Sequence, residues 1–293
     1  MQIALLGASG FIGGVVLKRL AAGHNVRTAC RTAPPIQDGW RRLDLREPCD
    51  ALEQHFDGCE VLVDSAAVTA YRIHPFDDLG QVLGTNLGIP LRLAQALPAS
   101  IRRIVYLSTI DVYGVPGELP LNEDRPLRPW SNYGRTKRLA EQAYELIAAE
   151  RGIELTILRL SQIYGPGDRS PKVIPTYMNA ALKGKLPDLQ GTGKERRDTV
   201  FVEDVARFVE LALAGPAGTY NVATGQSRTV SETVRLIADL AGLTPPKAVG
   251  GDGGPDYVFD IRKAREQLGF ESEIPLEAGL RRTWEWLRGR SSS

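Results

Sequence analysis

Histidine and cysteine are both scarce, three of each in 293 residues, and the cysteines (Cys30, Cys49 and Cys59) stand at no metal-ligand spacing. An odd, widely separated trio argues against a disulfide framework, and so few thiols and imidazoles give no reason to expect a metal. An excess of charge is missing too. Thirty-six Lys and Arg face 35 Asp and Glu, a formal +1, so no overall field invites nucleic acid or an anionic membrane, and an anionic ligand must be met locally. No apolar run reaches the length of a bilayer span, and no basic leader with a cleavage site precedes the first strand pattern. The expectation is a cytoplasmic protein that takes a small molecule, with a homodimer left open.

What the chain does have is glycine, 30 residues of it, and its placement at the start is specific. The opening run MQIALLGASGFIGGVVLKRL sets a short apolar stretch (residues 3–6) before Gly7, Gly10 and Gly13, and resumes with Val15, Val16 and Leu17. That reads as strand, turn, helix. Gly7 lets the strand turn sharply, Gly10 lets backbone N–H groups approach a pyrophosphate, and Gly13 lets helix and strand pack closely. Glycines so spaced also suit an ordinary tight turn; position, after a strand and opening a helix, favours a dinucleotide site.

Alternation of strand and helix continues. Residues 25–30 (NVRTAC) read as a second strand, a short strand precedes Leu43, residues 60–64 (EVLVD) are apolar enough for a parallel strand covered on both faces, and residues 76–97 carry apolar residues at helical intervals. A strand over 101–107 ends in Ser108-Thr109, Ser131 caps a helix running towards Glu150 with Gly152 past its end, and residues 154–160 form the sixth strand. The pattern predicts an α/β fold, a doubly wound parallel (Rossmann) sheet. Beyond Tyr164-Gly165-Pro166-Gly167 it breaks down. We expect a dinucleotide-binding domain over 1–165, rejoined by about 203–225, and a smaller mixed substrate lobe from 166–202 and 226–293, with the ligand in the cleft between them.

Within that frame Tyr133 and Lys137 share one helix face a turn apart. A phenol near pH 7 is a poor acid or base until a neighbouring ammonium favours its phenolate; so tuned, it can move the proton that accompanies redox chemistry at a carbonyl or alcohol. An isolated YxxxK is just as often an exposed pair. Its order after the glycine turn and Ser108-Thr109 raises it.

Taken together, GxxGxxG, STIDVYG, SNYGRTK, LRLSQIYGPGD, RRDTVFVEDVA and TYNVATG resemble the extended short-chain dehydrogenase/reductase superfamily, in particular its epimerase/dehydratase family of nucleotide-sugar epimerases and ketoreductases. The resemblance implies cofactor contacts from Gly7, Ser9, Gly10, Phe11, Ile12, Gly13, Ala66, Ala67, Tyr133, Lys137 and Ile163, with Asp44 and Leu45 beside the adenine. It implies catalysis by Thr109, Tyr133 and Lys137, in which Tyr133 and Thr109 polarise one carbonyl, with Ser108 the neighbouring alternative. Asn86 in such enzymes helps hold the active-site helix, though a core amide would look the same. Asp111, Gln162 and Arg197 join Thr109 as substrate contacts, Arg197 on a nucleotide diphosphate; a solvated ion pair with Asp198, Glu203 or Asp204 is the alternative for Arg197. Four departures matter. Cys30 and Arg31 replace the Asp that reads the ribose of NAD, which favours NADP over NAD; Arg31 could also be a solvated loop residue. Ile110 and Asp111 replace the Asp-Glu pair of dehydratases. Gln162 stands where relatives usually have Asn, and VGGDGGPDYVFD lacks a second diphosphate arginine.

The resulting expectation is an NADPH-dependent ketoreductase of a nucleotide-linked keto-sugar. Its alternatives are a nucleotide-sugar epimerase with retained NAD, a reductase of a non-nucleotide ketone, and a non-catalytic NADP sensor.

Overall fold

The computed structural model describes residues 1–36, 38–44, 50–69 and 79–291. Along the chain run β1 (Gln2–Leu6), α1 (Phe11–Leu20), β2 (Asn25–Cys30), β3 (Trp40–Arg42), α2 (Asp50–Phe56), β4 (Val61–Asp64), α3 (Leu79–Asn86) and α4 (Gly88–Ala96). Then come β5 (Arg103–Thr109), α5 (Asn132–Arg151), β6 (Glu154–Leu160), β7 (Gln162–Tyr164), α6 (Val173–Leu182), β8 (Leu189–Gln190) and β9 (Arg196–Phe201). The last elements are α7 (Val202–Ala212), β10 (Gly218–Val222), β11 (Ser227–Thr229), α8 (Val230–Ala241), β12 (Ala248–Val249), α9 (Arg262–Leu268) and α10 (Leu276–Ser291).

Seven parallel strands form the main sheet in the order β10-β6-β5-β4-β1-β2-β3. The winding reverses between β1 and β4, so the carboxyl ends there open the crevice in which such sheets bind ligands. Both faces are covered, as the period-two side chains of β1 show. Ile3 and Leu5 pack with Val16 and Leu17 of α1 and Phe208 and Val209 of α7. Ala4 and Leu6 face Ile89 and Leu93 of α4 and Ala140 and Tyr144 of α5. Although α7 and β10 lie after residue 200, they complete these layers, β10 pairing with β6.

The mixed smaller lobe holds a three-stranded sheet, β11-β9-β7, in which β7 runs parallel and β11 antiparallel to β9. Its core joins Ile174 and Met178 of α6, Val234 and Ile237 of α8 and Leu280 of α10. Two details differ from the sequence pattern. The described part of residues 76–97 is two helices parted at Leu87, because Gly88 and Pro90 sit in the first turn of a new helix, where proline's missing N–H costs nothing. The strands β7, β8, β11 and β12 carry no periodic signal, being two or three residues long.

Candidate functional site

The glycine turn is built by exclusion of side chains. Gly7 has φ +78°, and a Cβ there would stand 2.7 Å from the Ala66 nitrogen; a Cβ on Gly13 would stand 2.1 Å from the Gly7 carbonyl oxygen. Strand and helix therefore meet backbone to backbone. Gly10 caps α1 without a side-chain bond, which leaves the first-turn N–H groups of Phe11, Ile12 and Gly13 as donors at the positive end of the helix. Ser9, Gly10, Phe11, Ile12 and Gly13 line a cavity of about 760 Å³, which Ala67, Thr109, Tyr133 and Ile163 also line. A second cavity of about 590 Å³, sharing Ser9, Gly10, Ser65 and Ala67 with the first, continues past Gly7 and Ala66 to Arg31, Arg42 and Asp44. This long groove fits a dinucleotide, a diphosphate on α1 and a nucleoside to either side. At the end of β2 the Cys30 side chain is buried and Arg31 exposed. Leu45 lies outside the described residues, as does Cys49.

The parallel register brings Asp64 beside Tyr106 and Thr109 beside Leu160, so the ends of β4, β5 and β6 form one rim. Helix α5 docks onto it. Ser131 caps the helix by accepting from the Gly134 N–H at 3.0 Å, and Gly134 itself is needed because a Cβ would stand 2.6 Å from the Asp111 carbonyl oxygen. Asn86 ties the next layer: its amide accepts from the Val68 N–H at 2.8 Å and donates to the Val68 carbonyl at 3.0 Å and the Thr136 hydroxyl at 3.2 Å. It thus holds both α5 and the chain just past Ala67.

Thr109 lines the cavity, and its hydroxyl oxygen accepts from the Asp111 N–H at 3.3 Å. Ser108 is committed inward, donating to Glu141 at 2.6 Å. Tyr133 lines the cavity, whereas Lys137 lies behind it, 1% exposed, with Nζ donating to the Leu107 carbonyl at 2.7 Å. Burial pushes its pKa down to about 8, against the opposing pull of the Asp64 and Glu141 carboxylates.

Of the expected substrate contacts, the main cavity gathers Thr109 but not Asp111, Gln162 or Arg197. Asp111 is half-buried, and burial raises its carboxyl pKa against the charge of Lys172, itself on the cavity wall. Gln162 opens β7 and pairs with Thr199. Arg197 makes none of the ion pairs open to it. Its Nη1 donates to the carbonyls of Arg196 (2.9 Å) and Pro255 (2.6 Å), and its guanidinium lies 5.4 Å from the centroid of the Tyr257 ring. The three acids have other partners: Thr224 and Gly225 for Asp198, Ser272 and the Ile274 N–H for Asp204, and Arg282 for Glu203.

Sequence reasoning did not single out Ser161 or the wall over residues 168–172. The GPGD turn was the available signal, since Asp168 accepts from the Ser170 N–H at 2.8 Å and bends that segment into the cavity. The Ser161 hydroxyl, buried just past β6, has no hydrogen-bond partner among the described residues. Among the described residues no cluster of three His, Cys, Asp or Glu could hold a metal, and no helix is long and apolar enough to cross a membrane.

Comparison with known proteins agrees with this layout. A 30% identical relative, the putative UDP-glucose 4-epimerase of Methanocaldococcus jannaschii, matches over 99% of both chains. The UDP-glucose 4-epimerase of Mycolicibacterium smegmatis is 28% identical over 99% of this chain and 100% of its own. Among solved structures, MoeE5 in complex with UDP-glucose and NAD superposes with a TM-score of 0.89 at 30% identity, covering all of both chains. The UDP-glucose 4-epimerase of Thermotoga maritima with UDP-glucose gives a TM-score of 0.86 at 25% identity, over 99% of this chain and 100% of the other. The model of the NAD dependent epimerase/dehydratase family matches residues 3–223, and with the glycine turn, the Thr109 rim and the capped YxxxK helix in their places, the chain belongs to that family.

Proposed function

We propose that the protein is a nucleotide-sugar epimerase that inverts a carbinol carbon of a UDP-hexose with a retained nicotinamide cofactor. One observation carries the reading: Thr109 and Tyr133 open onto the same 760 Å³ space as the uncapped end of α1, so cofactor and a hydroxyl-bearing substrate would meet at one phenol. The backbone cradle that excludes a Cβ at Gly7 and Gly13 fits a dinucleotide diphosphate. When bound, the cofactor supplies the redox half of the chemistry, taking up and returning two electrons with the carbon-bound hydrogen. The chain's own residues do the rest. Tyr133 takes the proton from the substrate hydroxyl and gives it back after the sugar has presented its other face, and the Thr109 hydroxyl bonds the same oxygen throughout. Lys137, charged, favours the phenolate that this exchange needs. Residues 1–165 with 203–225 hold the cofactor, the remaining lobe holds the nucleotide, and Arg197 turns from its carbonyl partners to the diphosphate.

Epimerisation replaces ketoreduction as the leading reading because full-length relatives are named UDP-glucose 4-epimerases and MoeE5 holds UDP-glucose with NAD. Dehydration is disfavoured. Ile110, where dehydratases carry an acid, is buried among apolar neighbours. NADPH-dependent reduction stays as the second reading on one observation, the exposed Arg31 and Arg42 at the nucleoside end of the groove, which suit a 2′-phosphate.

The test is to release the cofactor from purified protein, identify it, and incubate the protein with UDP-glucose, UDP-glucuronic acid or UDP-N-acetylglucosamine without added cofactor. An epimerase carries NAD and interconverts one of these with its 4-epimer. Protein that carries no cofactor, binds NADPH in preference to NADH and oxidises it with a keto-sugar is a reductase, and the proposal is then wrong.

A further inference from the structure

Lys137 sits where an ammonium is costly, so what keeps it charged bears on the whole site. From β5, the Leu107 carbonyl accepts from Nζ at 2.7 Å and the Tyr106 ring lies beneath it, 4.1 Å away at its centroid. Its own helix presents Tyr133 one turn before, and Glu141 and Tyr144 one and two turns after, on the same face. Arg159 comes from β6, and from β4 comes Asp64, whose charge reaches Lys137. Four of these groups are buried and ionisable: Lys137, Arg159, Asp64 and Glu141, and burial raises the Asp64 carboxyl pKa against the pull of the Tyr144 hydrogen bond and of Lys137.

They divide into two pairs. Glu141, fully buried, is matched by Arg159 through both oxygens, at 3.2 Å from Nε and 3.1 Å from Nη2, while the Ser108 hydroxyl donates to it and Arg138 bonds it from the rim. Its charge is thereby balanced. The carboxylate left for Lys137 is Asp64, which stands beside Tyr106 in the sheet register and so next to the ring on which the ammonium rests. Asp64 is itself pinned: the Tyr144 hydroxyl donates to Oδ2 at 2.6 Å and the Ala66 N–H to Oδ1 at 2.9 Å. The Tyr106 and Tyr144 rings pack 4.7 Å apart, and both carboxylate and ammonium are buried, each 1% exposed.

We infer that Asp64, held by Tyr144 and the Ala66 N–H, is a positioning residue that keeps Lys137 in its ammonium form on the helix face it shares with Tyr133. An opposite charge favours the charged state of a buried base, and removal of one partner leaves the other uncompensated. The same carboxylate accepts from the N–H of Ala66, which lines the groove, so one residue links that wall to the charge behind the phenol. The inference rests on the proposed function only in giving Tyr133 the proton transfer.

Asp64→Asn keeps the size and one acceptor but removes the charge. In protein labelled with ¹³C at lysine Cε, with the Lys137 signal assigned by its loss in Lys137→Arg, the Lys137 titration midpoint should fall by about one pH unit or more, a tenfold weaker hold on the proton. The pH profile of sugar interconversion should lose activity progressively on its alkaline side, whereas a merely structural defect scales the whole profile by one factor. An unchanged Lys137 midpoint in Asp64→Asn overturns the inference. Because the titration needs no substrate, failure of the epimerase reading leaves this result intact. Should Asp64→Asn not fold, the parent decides: the Lys137 Cε signal must show a second, acidic inflection coinciding with titration of the Asp64 carboxyl, and a flat response there is equally fatal.

Discussion

Gly13→Ala is the sharpest perturbation of the cofactor cradle. The added Cβ would lie 2.1 Å from the Gly7 carbonyl oxygen, 2.7 Å from the Gly7 carbonyl carbon and 2.7 Å from Ser65 Oγ. A carbon needs about 3.3 Å from a carbonyl oxygen, so α1 must retreat from β1 by about 1 Å. Two of the three atoms belong to the Gly7 turn, which lies so close to the Ala66 backbone that a Cβ on Gly7 would stand 2.7 Å from its nitrogen, so no flexible side chain can absorb the move. Overpacking of this kind costs about 1–3 kcal/mol or more, to be read as a shift of the urea midpoint without change of slope. The retreat also carries the N–H groups of Phe11 and Ile12 away from where a diphosphate would sit. A 1 Å error in a positioned group can cost about 100-fold, and dinucleotide affinity, measured by calorimetric titration, should fall by at least tenfold. Gly10→Ala, whose Cβ would meet one oxygen at 3.2 Å, should cost less, and Gly23→Ala, with nothing within 4 Å, should stay within about 0.5 kcal/mol of the parent. A folded Gly13→Ala protein as stable as Gly23→Ala and binding dinucleotide within twofold of the parent would refute the argument.

Tyr133→Phe should leave fold and cofactor binding largely intact but lower interconversion of the UDP-sugar by about 100-fold or more; activity within a few-fold of the parent removes the phenol from the reaction. Lys137 gives a stability prediction with a definite sign. Its pKa is about 8 in the folded chain against an ordinary 10.5, so between those values the unfolded chain binds more protons and stability rises with pH. Relative to Lys137→Met, whose difference from the parent isolates this group, the parent should gain about 2 kcal/mol between pH 7 and 9.5. Urea unfolding at the two pH values measures it, and a parent–variant difference that ignores pH contradicts the burial argument.

Much of the site could be read in advance because it is written in local sequence. Gly7 and Gly13 declare themselves by spacing, and Ser131 and Gly152 by cap chemistry: Ser131 accepts from Gly134 N–H, and Gly152 takes φ +64°. Strands β1, β5 and β6 are apolar runs because both faces are covered. The small lobe was less legible for the converse reason. Strands β7 and β11 have three residues each and are held by β9 rather than by any pattern of their own. Gly134 shows the limit within a motif, since its need for a bare Cα comes from the Asp111 carbonyl across a helix–loop contact.

Arg197 and Asp64 carry the same lesson into electrostatics. From sequence, Asp198, Glu203 and Asp204 are the obvious partners for Arg197 because they lie within seven positions of it. Glu203 instead pairs with the exposed Arg282, and the other two are claimed by donors of distant segments. Asp198 accepts from three donors of the Thr224–Gly225 turn, and Asp204 from the backbone and hydroxyl of residues 272–274. Both carboxylates are buried, each 1% exposed, so leaving one without donors costs about 1–3 kcal/mol or more, whereas an exposed ion pair is worth about 0–1 kcal/mol. Arg197 is left with the Pro255 carbonyl, 58 residues away, a neutral acceptor that a phosphate oxygen outcompetes. Asp64 also accepts from neutral donors, the Tyr144 hydroxyl and the Ala66 N–H, but the sheet register sets it beside Tyr106, the ring on which Lys137 rests. Which of two similar carboxylates can act on a given cation is decided by where the fold places it, and that placement exists only once the chain has folded.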